Sequence, residues 1–279
     1  MKTSKTTKLI CIVISVIMIL ALATGCGSSK SKGGKLAAIK KAGKIVMATD
    51  AAWAPFEYIG ANGEVTGSDV VLGQYIADKL GVKLEVINVA FDSLSTYLAN
   101  GEADMAIAAM TITEERKETL DFSEPYTNAE QYIIVLESNN DVKTIEDMAG
   151  YAIGVHLGTT GDFLVSDEVD GGVLAGTGAS VEQYKALPDA SMALKNGQLQ
   201  AIVCDTMLAK NLCTVNDGLK CFPLTFADGS KTTELLAIAF AKGDEEFVAK
   251  VNEIIAPIIA DGTVDSWIVE HSELASQLD

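Results

Sequence analysis

Leu98-Ala99-Asn100-Gly101 followed by Met105-Ala106-Ile107-Ala108, and Leu194-Lys195-Asn196-Gly197 followed by Ala201-Ile202-Val203-Cys204, spell one pattern twice at an offset of 96 residues. In each copy a helix ends at Asn-Gly and a short hydrophobic strand begins. The repeat predicts two similar α/β units. The same offset carries Ala109 onto Asp205, each at the carboxyl end of its strand, which is where ligands bind in open α/β sheets.

The pattern extends outward from there. Lys44 to Thr49 reads as a strand, and Asn62-Gly63 as a turn. Ser68-Asp69 is expected to cap a helix that carries Val71, Leu72, Tyr75, Ile76 and Leu80 on one side and stops at Gly81. Lys83 to Val89 is the next strand. Thr144 to Ala149 reads as a short helix closed by Gly150. Tyr151 to Val155 is a strand opening into His156-Leu157-Gly158-Thr159-Thr160-Gly161-Asp162. Strands alternating with helices from about residue 44 onward give an α/β chain.

At its amino end the chain places Lys2, Lys5 and Lys8 before an apolar run, Leu9 to Leu22, broken only by Ser15. This is a positive n-region and an h-region, too short to cross a bilayer core of about 20 residues. Small residues then lead through Ala23-Thr24-Gly25 to Cys26, which resembles a bacterial lipobox, although Ala23 stands where leucine is usual. Residues 1–25 are expected to be a lipoprotein signal peptide, and residues 26–35 a lipid-bearing Cys26 with a polar tether. The expected location is extracytoplasmic, held at the cell membrane by that lipid. Removing residues 1–25 takes away three lysines and no acid, so the formal charge moves from −17 to −20. So acidic a chain argues against nucleic acid as partner. Cys204, Cys213 and Cys221 remain. Cys213 and Cys221 either pair in an oxidising setting or stay free. Two histidines, His156 and His271, are too few and too far apart for a metal site, and no metal or cofactor is expected.

The chemistry concentrates in Ala109-Met110-Thr111-Ile112-Thr113-Glu114-Glu115-Arg116. It leaves a strand end and enters a helix that Thr111 or Thr113 can cap. A hydroxyl, backbone amides and a guanidinium within a few residues suit a carboxylate, because the planar fork binds both oxygens. On the residues alone, Arg116 also reads as a solvated helix arginine, Trp53 and Phe91 as core, Asp205 as a helix cap and Asp50 as a turn residue.

Together with Asp50-Ala51-Ala52-Trp53-Ala54-Pro55-Phe56-Glu57-Tyr58, Phe91-Asp92-Ser93-Leu94 and Asp121-Phe122-Ser123-Glu124-Pro125-Tyr126, this stretch resembles the family 3 extracellular solute-binding proteins of polar amino-acid ABC importers. The second half agrees through Gly158-Thr159-Thr160-Gly161, Asp205 and the tail Ala241-Lys242-Gly243-Asp244 and Ala260-Asp261-Gly262-Thr263. The resemblance implies a two-lobed, periplasmic-binding-protein-like (type II) fold. Residues 36–130 plus 232–279 would form lobe 1 and residues 131–231 lobe 2. Two hinge strands would lie near Asn128–Tyr132 and Ser230–Leu235. It also implies that Arg116 binds a ligand α-carboxylate with Thr111 and the Ala109 carbonyl, beside Met110. Thr159 or Thr160 adds amides, Asp205 takes the α-ammonium, Trp53 and Phe91 flank the side chain, and Asp50 contacts a side-chain nitrogen. His156 stands where some relatives carry a lysine, and is either a ligand hydrogen-bond donor or a loop residue.

The implied partners are a small amino acid, basic or amide in its side chain, and the permease and ATPase of an ABC transporter. The protein itself is expected to be monomeric. No G-x-S-x-G elbow or Walker-type lysine loop suggests an enzyme. An enzyme on this scaffold, of the cyclohexadienyl dehydratase kind, is the alternative; so is a ligand sensor, which would need a separate membrane partner because no second hydrophobic span precedes Asp279.

Overall fold

The structure is a computed structural model that describes residues 34–278. The signal segment, Cys26 and nearly all of the tether lie outside the described residues. In chain order the first part comprises α1 (Lys35–Ala42), β1 (Lys44–Thr49), β2 (Ala52–Trp53), β3 (Glu57–Ile59), β4 (Val65–Thr66), α2 (Ser68–Leu80), β5 (Lys83–Asn88), α3 (Leu94–Ala99), β6 (Met105–Ala106), α4 (Glu114–Thr119), β7 (Leu120–Phe122) and β8 (Thr127–Ala129). The second part comprises β9 (Gln131–Leu136), β10 (Ala152–His156), α5 (Thr160–Asp170), β11 (Ser180–Tyr184), α6 (Leu187–Lys195), β12 (Ala201–Asp205), α7 (Thr206–Val215) and β13 (Leu219–Pro223). The chain then returns through β14 (Glu234–Leu236) and β15 (Ala239–Ala241) to α8 (Glu245–Ala260) and α9 (Thr263–Ala275).

Two five-stranded sheets result, in the orders β5-β1-β6-β15-β7 and β11-β10-β12-β9-β13. In each, a parallel trio is followed by an antiparallel fourth strand. The first two residues of each repeated strand pair in the same way. Met105 and Ala106 pair with Met47 and Ala48, while Ala201 and Ile202, each 96 positions on, pair with Ile153 and Gly154. The preceding helices end alike, with Gly101 at φ 72° and Gly197 at φ 76°. This left-handed backbone is open to glycine without a Cβ penalty. The two halves of the chain are joined by β8 and β14, which pair antiparallel with Asn128 opposite Leu235. This is the two-lobed type II fold.

Both sheets bury both faces, as parallel sheets do. On β9, Ile133 and Val135 face a cluster with Val142, Ile145 and Val155, whereas Ile134 faces the other side with Leu187 and Leu208. Helix α2 buries Leu72, Ile76 and Leu80 at a four-residue spacing. Gly73 lets α2 approach the first sheet, since a Cβ there would lie 2.5 Å from the Met47 sulfur. Among the described residues no helix is long and apolar enough to cross a membrane.

Three local expectations are corrected. The segment Thr144 to Ala149 forms only a 3₁₀ turn, Glu146–Met148, because Asp147 accepts from the Lys143 and Thr144 amides and closes a tight turn instead. The strand read as Tyr151 to Val155 runs one residue later and includes His156. Neither Ser68 nor Asp69 caps α2. The cap position is Gly67, and the amides of Ser68 and Asp69 donate to the carbonyls of Pro55 and Phe56. Gly67 has φ 135°, and a Cβ on it would lie 2.0 Å from the Phe56 oxygen. Gly67→Ala is therefore expected to destabilise the protein by about 2–4 kcal/mol, read from urea unfolding.

Candidate functional site

The carboxyl ends of β6 and β12 face one cavity, lined by Trp53, Phe91, Ala108, Ala109, Thr111, Arg116, Gln131, Thr159, Thr160, Cys204 and Asp205. Both halves contribute, as the strand-end rule requires.

Asp205 ends β12 and caps α7. Its Oδ1 accepts from the Leu208 amide at 3.3 Å. Its Oδ2 accepts from the Trp53 indole Nε1 at 2.6 Å, a bond that joins the two halves. Burial pushes the Asp205 carboxyl up to about 6, while the Trp53 and Leu208 donors pull the other way. The capping and binding readings of this residue are compatible, because a carboxylate has lone pairs for both.

Arg116 lies in α4, whose cap is Thr113; the Arg116 amide donates to the Thr113 hydroxyl at 3.1 Å. The guanidinium reaches back and across. Nη1 donates to the Thr111 carbonyl at 2.7 Å and Nη2 to the Gly158 carbonyl of the other half at 3.1 Å. Its Cζ lies 5.4 Å from the centre of the Phe91 ring, a cation–π contact. Burial lowers its pKa to about 10, with Glu234 and Glu115 opposing, so it stays charged at neutral pH.

Thr159 caps α5, its hydroxyl accepting from the Asp162 amide at 3.3 Å and donating to the His156 carbonyl at 2.8 Å. Buried Asp162 steadies the loop by accepting from the Gly158 amide and from Gln183. Thr160 donates to Glu234 at 2.9 Å, accepts from Gln131 at 3.3 Å and lies 3.5 Å from the Thr111 hydroxyl. This ties β14 and β9 to the cavity wall.

Three of the sequence-named residues are not brought to the cavity wall. Met110 packs into the core with Leu94 and Leu98 and offers only its carbonyl, which accepts from Ala237. Asp50 accepts from the Phe91 amide at 3.0 Å, and its Oδ2 lies 3.3 Å from His156 Nε2. His156 is stacked on Trp53, with ring centres 5.2 Å apart, and tilted against Phe91. Asp50 and His156 thus buttress the aromatic walls. Gln131 and Glu234, which the sequence did not single out, enter because β9 pairs with β12, setting Gln131 opposite Asp205, and β14 pairs with β8. Neither pairing has a local signature. Cys213 and Cys221 are free thiols, each partly buried.

The fold and this cleft define a solute-binding protein. The family model for bacterial extracellular solute-binding proteins, family 3, matches residues 45–271, and the chain belongs to that family. It is 32% identical over 256 residues to a probable histidine-binding protein of Neisseria gonorrhoeae, covering 89% of this chain and 90% of that one. Among solved structures it superposes with TM-score 0.80 on the amino acid ABC transporter substrate-binding protein AbpA of Streptococcus pneumoniae Canada MDR_19A bound to L-arginine, at 28% identity, covering 87% of this chain and all of that one. It superposes with TM-score 0.75 on the ancestral amino acid-binding protein AncCDT-1, a precursor of cyclohexadienyl dehydratase, at 30% identity, covering 84% and 98%.

Trp53→Phe keeps the ring stack and removes the donor to Asp205. It is expected to lower stability by about 1–2 kcal/mol and to raise the Asp205 pKa further. Unfolding at neutral pH and a carbon-13 NMR titration of the Asp205 carboxyl check both.

Proposed function

We propose that this protein captures a polar amino acid with a basic or amide side chain between its two lobes and hands it to the permease of an ABC importer. The lobes are residues 36–130 plus 232–279 and residues 131–231, and β8 and β14 act as the hinge. Lipid at Cys26 would hold the protein at the outer face of the membrane. The observation that carries this reading is the pair of opposite charges, Arg116 and Asp205, that the two halves bring to one cavity. A zwitterion needs both, since a charge buried without a partner is costly. Arg116 takes the carboxylate with the amides at Thr159 and Thr160, at the amino end of α5. Asp205 takes the ammonium, helped by the Ala109 carbonyl, which as an acceptor suits the ammonium and not the carboxylate that the resemblance gave it, and Trp53 and Phe91 clasp the side chain.

Asp205 and Glu234 contribute to the cavity region, with Asp50 behind the aromatic wall, against Arg116 as cation. That balance favours a guest with net positive charge. Relatives that bind histidine or arginine have guests carrying side-chain N–H groups, in keeping with this preference. The likeness to AncCDT-1 raises catalysis on the same scaffold as a second reading, but that ancestor is itself described as amino acid-binding.

A thermal-shift screen of the twenty amino acids with ornithine, citrulline and cystine tests the assignment, because a ligand that binds only the folded state raises the melting temperature. Basic amino acids are expected to give the largest shifts; if acidic ones do, the charge argument fails. Arg116→Ala and Asp205→Ala are each expected to weaken binding by about 2–5 kcal/mol in calorimetry. Unchanged affinity in both variants rejects the clamp. The Asp205 carboxyl is protonated below about 6 before a guest arrives, so affinity is expected to fall roughly tenfold for each further pH unit downward.

A further inference from the structure

Ala109 is the only non-glycine among the described residues with a left-handed backbone, at φ 45°, and it lines the cavity. An L-residue there is strained by about 1–3 kcal/mol and persists only where its surroundings hold it. The flanking chain is tied to the returning strand, with the Ala237 amide donating to the Met110 carbonyl and the Ile112 amide to the Leu235 carbonyl. The Ala109 amide itself donates to Asp69 Oδ2 at 2.9 Å, and the same oxygen accepts from the Tyr126 hydroxyl at 2.8 Å. Asp69 sits in the first turn of α2, 1% exposed. Beside it the chain enters β3, where the Phe56 carbonyl accepts from the Asp69 amide at 2.9 Å and the next residue, Glu57, is fully buried with no donor to either carboxyl oxygen among the described residues. Two carboxyl groups sharing one dry space cannot both ionise.

We propose that Glu57 holds a proton and donates it in a hydrogen bond to Asp69, and that this acid pair is the positioning element that fixes the backbone turn of Ala109 at the cavity. Glu57 becomes the donor and Asp69 the acceptor of three bonds. The charged groups facing Glu57 are Asp69, then Asp50 at the end of β1 and Asp205 at the end of β12, with the Tyr126 hydroxyl beside Asp69. Burial first, and then the neighbouring Asp69, holds the Glu57 carboxyl well above its ordinary range. A group whose folded pKa is raised contributes stability that is full below its unfolded pKa and is lost as pH rises through the folded one. Rising pH therefore strips the shared proton and loosens the turn.

The role of the turn in binding rests on the proposed function; the acid pair does not. Infrared difference spectroscopy of the protein, with Glu57→Gln as the reference, is expected to show a protonated carboxylic-acid band at neutral pH that disappears in the variant. Glu57→Gln keeps a donor at every pH. Its urea midpoint is expected to lose the fall that the wild type shows as pH rises above the ordinary glutamate range. With L-arginine as probe, Glu57→Ala is expected to bind about tenfold more weakly and Glu57→Gln within about threefold of the wild type. No acid band in the wild type, or parallel pH profiles for wild type and Glu57→Gln, overturns the pair. An acid band with equal L-arginine affinity in Glu57→Ala overturns its positioning role. If no amino acid binds the wild type, the functional reading fails while the spectrum and the urea profiles still decide the pair.

Discussion

A carboxylate taken out of water must find donors, and Asp205 finds one on each side of the cleft. Only 4% exposed, it receives the Leu208 amide in the first turn of α7 from its own half and the Trp53 indole from the other. Much of the local structure answers to that demand. Trp53 can reach across only because β2 and β3 hold it in a short hairpin, and that hairpin is braced where the carbonyls of Pro55 and Phe56 receive the first amides of α2. Arg116 makes the reciprocal reach, donating to Thr111 in its own half and to Gly158 in the other. Each half therefore sends a side chain to a group that the other half cannot satisfy alone.

The duplicated topology is what makes this exchange geometrically possible. Parallel strands end in loops rich in unpaired amides and carbonyls, and two such trios set end to end pool those groups in one cleft. The antiparallel fourth strands, β15 and β9, then lock the ends in place, and β9 delivers Gln131 beside Asp205. The chain crosses between halves only beside the cleft, at β8 and β14, so that Glu234 serves both the crossing and the wall through its bond to Thr160.

Much of this was legible in the residues. The repeat of Leu-x-Asn-Gly before a hydrophobic strand fixed where the equivalent strands begin, though not where they end, because a glycine stop and a buried strand are both local features. Thr111 and Asp205 were legible near strand ends, while Arg116, Thr159 and Thr160 came forward through the family resemblance; all five line the cavity. What escaped depended on direction and on distant pairing. Asp69 reads as a helix cap, but its side chain turns to the Ala109 amide because Phe56 already serves the helix start. Asp50 reads as a ligand contact, but His156, at the end of β10 in the second sheet, lies 3.3 Å from its carboxylate. Met110 and Thr111 are neighbours with opposite fates because successive side chains at a strand end point to opposite sides.

The direct contacts across the cleft also bear on what a guest can do to the shape of the molecule. Trp53 with Asp205, Arg116 with Gly158 and the ring stack of Trp53 on His156 all join the two halves through the protein alone. On the proposed reading a guest therefore does not supply the whole force for closure. It adds to an equilibrium that the protein's own bonds already bias toward the closed form. Its leverage is the difference it makes. An ammonium on Asp205 sets a full positive charge against the carboxylate, where the indole offers only a neutral donor. A carboxylate on Arg116 replaces uncharged carbonyl partners with a full counter-charge. Both gains exist only where the two halves meet, so the charges of the guest, more than its bulk, set how far the balance moves.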